Sequence, residues 1–177
     1  MLAKIYFLKG DITEMAIDAI VNSANTDLVM ESGLAGAICR KGGERVQADC
    51  DRLAPIRLGE ATVTTGGKLK AYYVIHAASI RPGEKATAES IRLAMHHALL
   101  RAEEKTIKSI AFPGLGTGVA GFPMEECAQI MLKVLLDHIK VRTSLEKIYF
   151  VLFDDAALKV FEETYQKLAG QHATGTK

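Results

Sequence analysis

Short runs of apolar residues alternate along this chain with segments in which apolar residues recur every three or four positions. Runs that are apolar almost throughout are typical of β-strands covered on both faces of a sheet. Six segments have this character and are predicted to be strands: residues 4–8, 18–21, 61–65, 72–77, 107–113 and 147–153.

The segments between the predicted strands have the helical period. The clearest stripe runs over residues 124–139 and consists of Met124, Cys127, Ala128, Met131, Leu132, Leu135 and Ile139. Two similar stripes, over residues 91–102 and 157–168, predict further long helices. A shorter helix is predicted over residues 46–53, after a Gly42-Gly43 pair that can end a preceding helix.

This order of elements predicts the fold class. Strands that alternate with helices favour a three-layer α/β/α sandwich around a central β-sheet. The sheet is expected to be mixed, because residues 60–79 read as two strands joined at Gly66 and Gly67 without a helix between them. We expect a single domain over residues 1–169 and a disordered tail over residues 170–177, where no pattern persists.

Composition and charge exclude several classes of partner. The 22 Lys and Arg residues nearly balance the 21 Asp and Glu residues and form no cluster, so an extended nucleic acid is not an expected partner. No apolar run is long enough to cross a bilayer, and no basic segment followed by an apolar one begins the chain. The cysteines Cys39, Cys50 and Cys127 lack metal-ligand spacing and are expected to be small core residues. We therefore expect a cytoplasmic protein with neither a metal nor a cofactor, and the oligomeric state stays open.

The most informative segment joins the fifth predicted strand to the helix that starts at residue 124. Its sequence, Phe-Pro-Gly-Leu-Gly-Thr-Gly-Val-Ala-Gly-Phe-Pro, holds the glycines Gly114, Gly116, Gly118 and Gly121. Glycine lets a ligand approach the backbone amides, and a helix start adds unpaired N–H groups and the positive end of the helix dipole. The segment is therefore predicted to bind phosphate, with a purely structural turn as the alternative.

The spacing Gly116-x-Gly118-x-x-Gly121 also fits the dinucleotide-binding fingerprint of Rossmann folds. That fingerprint requires an acidic residue about 20 positions further on, at the end of the next strand. Here the next predicted strand ends near Phe153 and Asp154, well beyond that distance. A Rossmann-type dinucleotide enzyme is therefore the less favoured alternative.

Polar residues follow the first two predicted strands. Asp11 follows the first, where it can accept a hydrogen bond from a ligand or cap a short helix. Asn22 and Asn25 follow the second, where two amides can address the hydroxyls of a sugar or form a turn. A second glycine-containing helix start, at residues 33–36, offers another loop that can face an anion.

Five motifs occur in a fixed order along the chain. They are Gly-Asp-Ile-Thr at 10–13, Val-Asn-Ser-Ala-Asn at 21–25, Gly-Leu-Ala-Gly-Ala-Ile at 33–38, Tyr-Val-Ile-His-Ala at 73–77 and the glycine-rich segment at 112–123. In this order they resemble the macrodomain, a module that recognises ADP-ribose, over about residues 4–168. The resemblance implies a protein that binds ADP-ribose or an ADP-ribosylated protein or metabolite.

The resemblance also implies roles for individual positions. Asp11 would accept a hydrogen bond from the adenine amino group, with the amide of Ile12 beside it, and Phe153 would pack on the adenine ring. Asn22 and Asn25 would contact the distal ribose. Two loops would hold the diphosphate, the first formed by Ser32, Gly33 and Leu34 and the second by Gly116, Thr117, Gly118, Val119 and Ala120.

Two positions depart from the family pattern and bear on catalysis. Ala35 stands where the branch that removes ADP-ribose from proteins has an aspartate, and alanine cannot orient or deprotonate a water. Ala120 stands where an aromatic residue often lies against the distal ribose. We therefore favour a binding module with at most weak hydrolysis of distal-ribose esters. The alternative is an O-acetyl-ADP-ribose deacetylase or mono-ADP-ribosyl-protein hydrolase, in which Asn25 holds the water and Glu31 assists.

Overall fold

The computed structural model describes residues 2–118 and 120–174, with side chains up to residue 171. Within those residues, six strands form one sheet: β1 (Lys4–Lys9), β2 (Ala19–Asn25), β3 (Ala61–Thr65), β4 (Tyr73–Ile80), β5 (Ser109–Phe112) and β6 (Lys147–Leu152). The helices are α1 (Gly33–Gly42), α2 (Glu44–Leu53), α3 (Ala88–Glu104), α4 (Met124–Ile139) and α5 (Asp155–Thr174), and a 3-10 turn covers Ile12–Glu14. The predicted strands and helices are confirmed, with ends that differ by a few residues.

The sheet is mixed, as the sequence predicted, and its strand order is β1-β6-β5-β2-β4-β3. The first five strands in this spatial order, β1, β6, β5, β2 and β4, are each parallel to the next. β3 pairs antiparallel with β4, with Ala61 opposite Ala77 and Thr65 opposite Tyr73. The carboxyl ends of the parallel strands therefore lie at one edge of the sheet, and the segments that follow them meet there.

Helices cover both faces of the sheet. On one face, α1 and α2 pack over an apolar cluster that includes Ile38 of α1 and Ile20 of β2. On the other face, α3, α4 and α5 pack over a larger cluster, in which the ring centroids of Phe150 and Phe161 lie 5.3 Å apart. The three-layer α/β/α sandwich is thus confirmed.

The helical stripe and the cysteines fill the core as expected. Cys127 lies on the buried side of α4, and Cys50 is buried under α2, whereas Cys39 is partly buried. Burial raises the pKa of the Cys50 and Cys127 thiols to about 12, so both are uncharged at neutral pH. These two residues therefore act as small apolar side chains.

The paths of β2 and β5 create a crevice at the carboxyl edge. The two strands are neighbours, but the chain leaves β2 towards α1 on one face and leaves β5 towards α4 on the other. Adjacent strands whose connections diverge in this way leave a crevice outside their ends, where ligands bind in open α/β sheets. The fold therefore places the two glycine-containing loops on opposite sides of one crevice.

The last helix is longer than the sequence pattern indicated. α5 continues to Thr174, so residues 170–174 are helical and the expected disordered tail does not begin at residue 170. Leu168 is buried against the core, and once a helix is anchored each further residue adds a backbone hydrogen bond at little cost. Residues 175–177 lie outside the described residues. None of the described helices is long and apolar enough to cross a membrane.

A neutral polar group is buried in the sheet on the face that α1 and α2 cover. His76 of β4 is fully buried, and its Nδ1 lies 3.1 Å from Asn22 Nδ2 and its Nε2 2.8 Å from Thr64 Oγ1. Because an amide nitrogen only donates, Nδ1 accepts and Nε2 carries the proton that points to Thr64. Burial lowers the pKa of His76 to about 4, so the ring is neutral at neutral pH.

We expect His76 to make the protein less stable as the pH falls. Its pKa of about 4 in the folded state lies below the ordinary value of 6.5, so the unfolded chain takes up a proton first. The stabilisation is complete above the unfolded pKa and is lost as the pH falls towards the folded one. The free energy of unfolding should drop by about 2 kcal/mol between about pH 7 and pH 5 because of this group.

Urea denaturation of the wild type and of His76→Gln at both pH values measures this contribution. The wild type should lose more stability than the variant over the interval. Equal losses in the two proteins would show that the imidazole is not buried in its neutral form.

Candidate functional site

One end of the crevice presents a carboxylate and an aromatic ring. β1 and β6 pair along their length, and the Gly10 N–H donates to the Leu152 carbonyl at 3.0 Å. Asp11 and Phe153 therefore follow neighbouring strands at the same edge. Phe153 is 92% exposed, so its ring is open to a flat apolar ligand.

Asp11 is held in place by the turn that follows it and by a lysine from α1. Its Oδ1 accepts hydrogen bonds from the N–H and the hydroxyl of Thr13, at 2.9 and 2.5 Å. Its Oδ2 accepts from Lys41 Nζ at 2.6 Å. The Lys41 ammonium and the Thr13 hydroxyl lower the pKa of Asp11, which is therefore ionised at neutral pH. The Asp11 side chain remains 52% exposed, so a further N–H donor can reach it.

The segment after β2 ends in a helix start that is suited to an anion. Ser32 is the N-cap residue of α1, but its side chain makes no capping hydrogen bond, and Gly33 has a φ of +57°. The first N–H groups of α1, from Gly33 to Ala35, have no acceptor within the helix. No acidic residue lies in the first turn of α1, so the positive end of the helix dipole is not neutralised by a carboxylate there.

The loop between β5 and α4 is closed by its own backbone. The Phe122 N–H donates to the Gly116 carbonyl and the Gly121 N–H to the Gly118 carbonyl, both at 2.9 Å. Gly116 is buried with a φ of +71°, and a Cβ on it would lie 2.7 Å from the Cβ of Ala86. A Cβ on Gly118 would meet nothing within 4 Å. The loop thus has a packed base at Gly116 and an open rim at Gly118.

The rim offers a ligand backbone groups more than side chains. It consists of Thr117, Gly118 and Ala120, while Val119 lies outside the described residues. The Thr117 hydroxyl donates to the Gly114 carbonyl at 2.8 Å, so the loop itself uses this side chain. Ala120 packs against the core. Hydrogen bonds from the described part of the rim to an anion would therefore come from main-chain N–H groups.

The two helix starts that flank the crevice differ in charge. The first turn of α4 carries Glu125 and Glu126, whereas the first turn of α1 carries no acidic residue. Carboxylates stabilise the start of α4 by interacting with the helix dipole, but they also repel a second anion. The start of α1 is therefore the better of the two anchors for a phosphate.

The two predicted sugar-binding asparagines have different environments. Asn22 is 1% exposed, and its amide nitrogen contacts His76, so its side chain lies beneath the surface of the crevice. Asn25 ends β2, and its Oδ1 accepts from the N–H groups of Asp27 and Val29 at 3.0 and 3.3 Å. The structure thus brings Asn25 to the crevice, where it also shapes the turn, and leaves Asn22 below it.

The predicted catalytic positions carry no group that another described residue orients for catalysis. Glu31 is exposed and makes no side-chain hydrogen bond with any described residue, and Ala35 packs against the apolar cluster under α1. Neither loop brings a carboxylate or an imidazole into contact with a hydroxyl among the described residues. Nor do these residues contain three or more His, Cys, Asp or Glu side chains grouped to hold a metal.

Two residues of this edge were missed by sequence reasoning. Lys41 pairs with Asp11 across 30 positions, and the Ser23 hydroxyl accepts a hydrogen bond from the Gly116 N–H across 93 positions. A lysine near the end of a helix carries no sequence signal for such a pair. Strand alternation does place Ser23 on the opposite face of β2 from Asn22, and this signal could have identified it.

A surface depression of about 520 Å³ lies at the opposite edge of the sheet, where α1 ends and α2 begins. Its lining residues are Gly42, Gly43, Glu44, Arg45, Thr65, Gly67 and Lys68. The buried side-chain atoms without a partner in the described structure belong to Asn22 and Arg101, and neither residue lines this depression. Among the described residues, its lining therefore includes no buried side-chain N or O atom that lacks a partner, and the carboxyl-edge crevice remains the candidate site.

Sequence comparison supports a single family. A model of the Macro domain family matches residues 21–131. An uncharacterized protein of Saccharolobus solfataricus is 42% identical over 169 residues, which cover 93% of this chain and 94% of that protein. An uncharacterized protein of Pyrobaculum aerophilum is 38% identical over 168 residues, with 93% and 92% covered.

Solved structures with the same architecture include nucleotide complexes. A macrodomain of Oceanobacillus iheyensis with ADP matches with a TM-score of 0.86 and 26% identity, over 93% of this chain and 91% of that one. A Trypanosoma brucei macrodomain in complex with ADP-ribose matches with a TM-score of 0.83 and 29% identity, over 90% and 68% of the two chains.

The contrast between the base and the rim of the loop predicts different effects of the same substitution. Gly116→Ala should lower the free energy of unfolding by about 1–3 kcal/mol, because alanine is strained at positive φ and its Cβ would collide with Ala86. Gly118→Ala should change it by less than about 0.5 kcal/mol, because its Cβ would meet only open space. Urea denaturation of both variants measures the difference. Equal free energies of unfolding of the two variants would contradict the tight packing around Gly116.

Proposed function

The chain belongs to the macro domain family, and from this premise we propose that it is a binding module for ADP-ribose and ADP-ribosylated ligands. The observation that carries the proposal is the arrangement along one sheet edge. An ionised carboxylate and an exposed ring lie at one end, and two glycine-containing loops lie beyond them. The order of these groups matches the order of base and diphosphate in the proposed ligand.

Adenine is proposed to bind between Asp11 and Phe153. The exocyclic amino group of adenine is a donor, and an ionised carboxylate is an acceptor without a competing proton. Stacking on Phe153 would cover an aromatic surface that is otherwise 92% exposed. Lys41 lowers the pKa of Asp11 further and leaves half of its side chain exposed to the ligand.

The diphosphate is proposed to lie between the start of α1 and the rim of the loop between β5 and α4. The net charge of the chain is only +1, so attraction through surface charge is weak. Amides at a helix start and in a glycine-rich loop can hold phosphate without a charged side chain. Ser32 adds a hydroxyl that the cap of α1 does not use.

The distal ribose is proposed to lie near Asn25, at the end of β2. The position beside it that could activate a water is Ala35, which has no acidic or basic group. Glu31 is exposed and has no described partner that would orient it. Because a general base must be positioned against the reacting group, these residues favour binding over chemistry.

Removal of the Asp11 carboxylate should weaken ADP-ribose binding. Asp11→Ala removes a charged acceptor for the adenine amino group, which is worth about 1–2 kcal/mol at a half-exposed site, or roughly five- to thirtyfold in Kd. Isothermal titration calorimetry with ADP-ribose measures the change.

The matched control is Asp137→Ala, which breaks an exposed Asp–Lys pair at the end of α4, far from the crevice, where Lys140 Nζ lies 2.7 Å from Asp137 Oδ1. This variant should bind as the wild type does. Unchanged affinity in Asp11→Ala would place adenine elsewhere. Tighter binding of NAD than of ADP-ribose by the wild type would favour a dinucleotide-dependent enzyme instead.

The same residues predict the outcome of a turnover assay. O-acetyl-ADP-ribose incubated with the protein should lose its acetyl group at the rate seen in buffer alone, because no described side chain at the proposed distal-ribose end of the crevice is placed as a base. Mass spectrometry follows the loss of the acetyl group. Turnover that is clearly above buffer and falls in Glu31→Gln would establish the hydrolase alternative, with Glu31 assisting.

A further inference from the structure

We propose that Ser23 positions the loop between β5 and α4 for the diphosphate, as the last member of a chain of three hydrogen-bonded serines that starts at α3. The chain consists of Ser90, Ser79 and Ser23, and we call it the serine chain. The inference rests on the proposed function, because it concerns the loop that would hold the phosphates. It adds a positioning residue that lies below the loop and does not touch the ligand.

The bond from Ser23 fixes the base of the loop to the centre of the sheet. Ser23 lies on the same face of β2 as Val21, which belongs to the cluster under α3, α4 and α5. Its Oγ accepts a hydrogen bond from the Gly116 N–H at 3.1 Å. Gly116 is buried, so this N–H would be costly to leave without an acceptor. The bond therefore anchors the buried base of the loop to β2.

Ser79 holds the Ser23 hydroxyl in position. The two Oγ atoms lie 3.2 Å apart on the adjacent strands β2 and β4. Ser79 is 1% exposed, and its hydroxyl has Ser23 as its partner among the described residues, whereas Ser23 is partly exposed. Either hydroxyl can donate in this pair, and in both arrangements the Ser23 oxygen keeps a lone pair for the Gly116 N–H.

The chain continues to the first turn of α3. Ser90 Oγ donates to the Ser79 carbonyl at 2.7 Å, and Ser90 and Thr87 cap the helix reciprocally at 2.9 and 3.0 Å. This fixes the start of α3 against β4, which matters because the start of α3 also packs on the loop. A Cβ on Gly116 would lie 2.7 Å from Ala86 and 3.1 Å from Ile91. Gly116 is thus held by a hydrogen bond from the sheet and by packing from α3.

The position of Gly116 also determines the position of the rim of the loop. The Gly116 carbonyl accepts the Phe122 N–H that closes the loop, so a shift of Gly116 moves the segment that carries Gly118. Amides that are already aimed at a ligand lose little freedom when it binds. The serine chain should therefore matter for ligands that place a phosphate at the rim and not for ligands that end before it.

The test compares two ligands of different reach. Ser23→Ala removes the acceptor of the Gly116 N–H and should weaken ADP-ribose binding about tenfold, the size expected for one buried hydrogen bond. Adenosine, which has the base but no phosphate, should bind to the variant and to the wild type with the same Kd. Titrations followed by NMR measure both ligands. A general loosening of the protein would weaken both ligands alike.

Ser109→Ala is the matched control. Ser109 Oγ accepts the Asp18 N–H at 2.9 Å, so the variant loses the same kind of bond on a neighbouring strand, at the opposite edge of the sheet. Its affinity for both ligands should equal that of the wild type. Hydrogen exchange of the amides of residues 114–122 should be faster in Ser23→Ala and unchanged in Ser109→Ala.

The outcomes separate this inference from the proposed function. Wild-type affinity for ADP-ribose in Ser23→Ala, or an equal loss for adenosine, would overturn the role of Ser23. A wild type that binds no ADP-ribose would refute the proposed function instead. In that case the exchange rates of the loop decide alone, and unchanged rates in Ser23→Ala would overturn the positioning role.

Discussion

Backbone N–H groups without partners among the described residues are the feature on which the crevice depends. They occur at the carboxyl edge because β2 and β5 are neighbours whose connections pass to opposite faces of the sheet. This divergence keeps the start of α1 and the loop before α4 apart, so neither can satisfy the other. Peptide dipoles then supply the attraction for an anion that a chain with a net charge of +1 does not supply through its side chains.

Neutral polar groups support the crevice from both faces of the sheet. On the α1 and α2 face, His76 lies between Asn22 and Thr64, and on the other face the serine chain leads to Gly116. A buried charge in either place would be costly, and a negative one would repel a phosphate. Hydroxyls, an amide and a neutral imidazole can hold the loops by hydrogen bonds without changing the charge of the site.

The lack of charged groups placed for catalysis among the described residues distinguishes ligand binding from catalysis at this site. Holding the proposed diphosphate requires donors at fixed positions, and the two glycine-containing loops on the sheet would provide them. Cleaving a bond requires in addition interactions with the substrate that are stronger in the transition state than in the ground state. At the distal end the chain offers Ala35, an Asn25 amide engaged with its own turn, and an exposed Glu31. These residues are the basis of the proposal that the protein is a binding module.

The sequence by itself determined the elements and their order. Periodicity placed the six strands of the sheet and the long helices, since burial on two faces or on one side of a helix leaves a repeating apolar pattern. The glycine-rich segment and Asp11 were also visible as ends of strands. The sequence signal for these residues was local, because turns and helix starts are specified by neighbouring residues. The end of α5 was missed, because a helix anchored by Leu168 continues through residues that carry no pattern.

Only the tertiary structure decided which of these residues act together. Asn22 and Asn25 are three positions apart in one motif, yet one is buried beside His76 and the other lies at the crevice. Lys41 and Ser23 acquire their roles from partners that are distant in sequence. Strand alternation indicates the face of β2 on which Ser23 lies, but it does not identify Gly116 as its partner. Local pattern therefore determined the pieces of this protein, while the packing of strands and helices determined the contacts that shape its site.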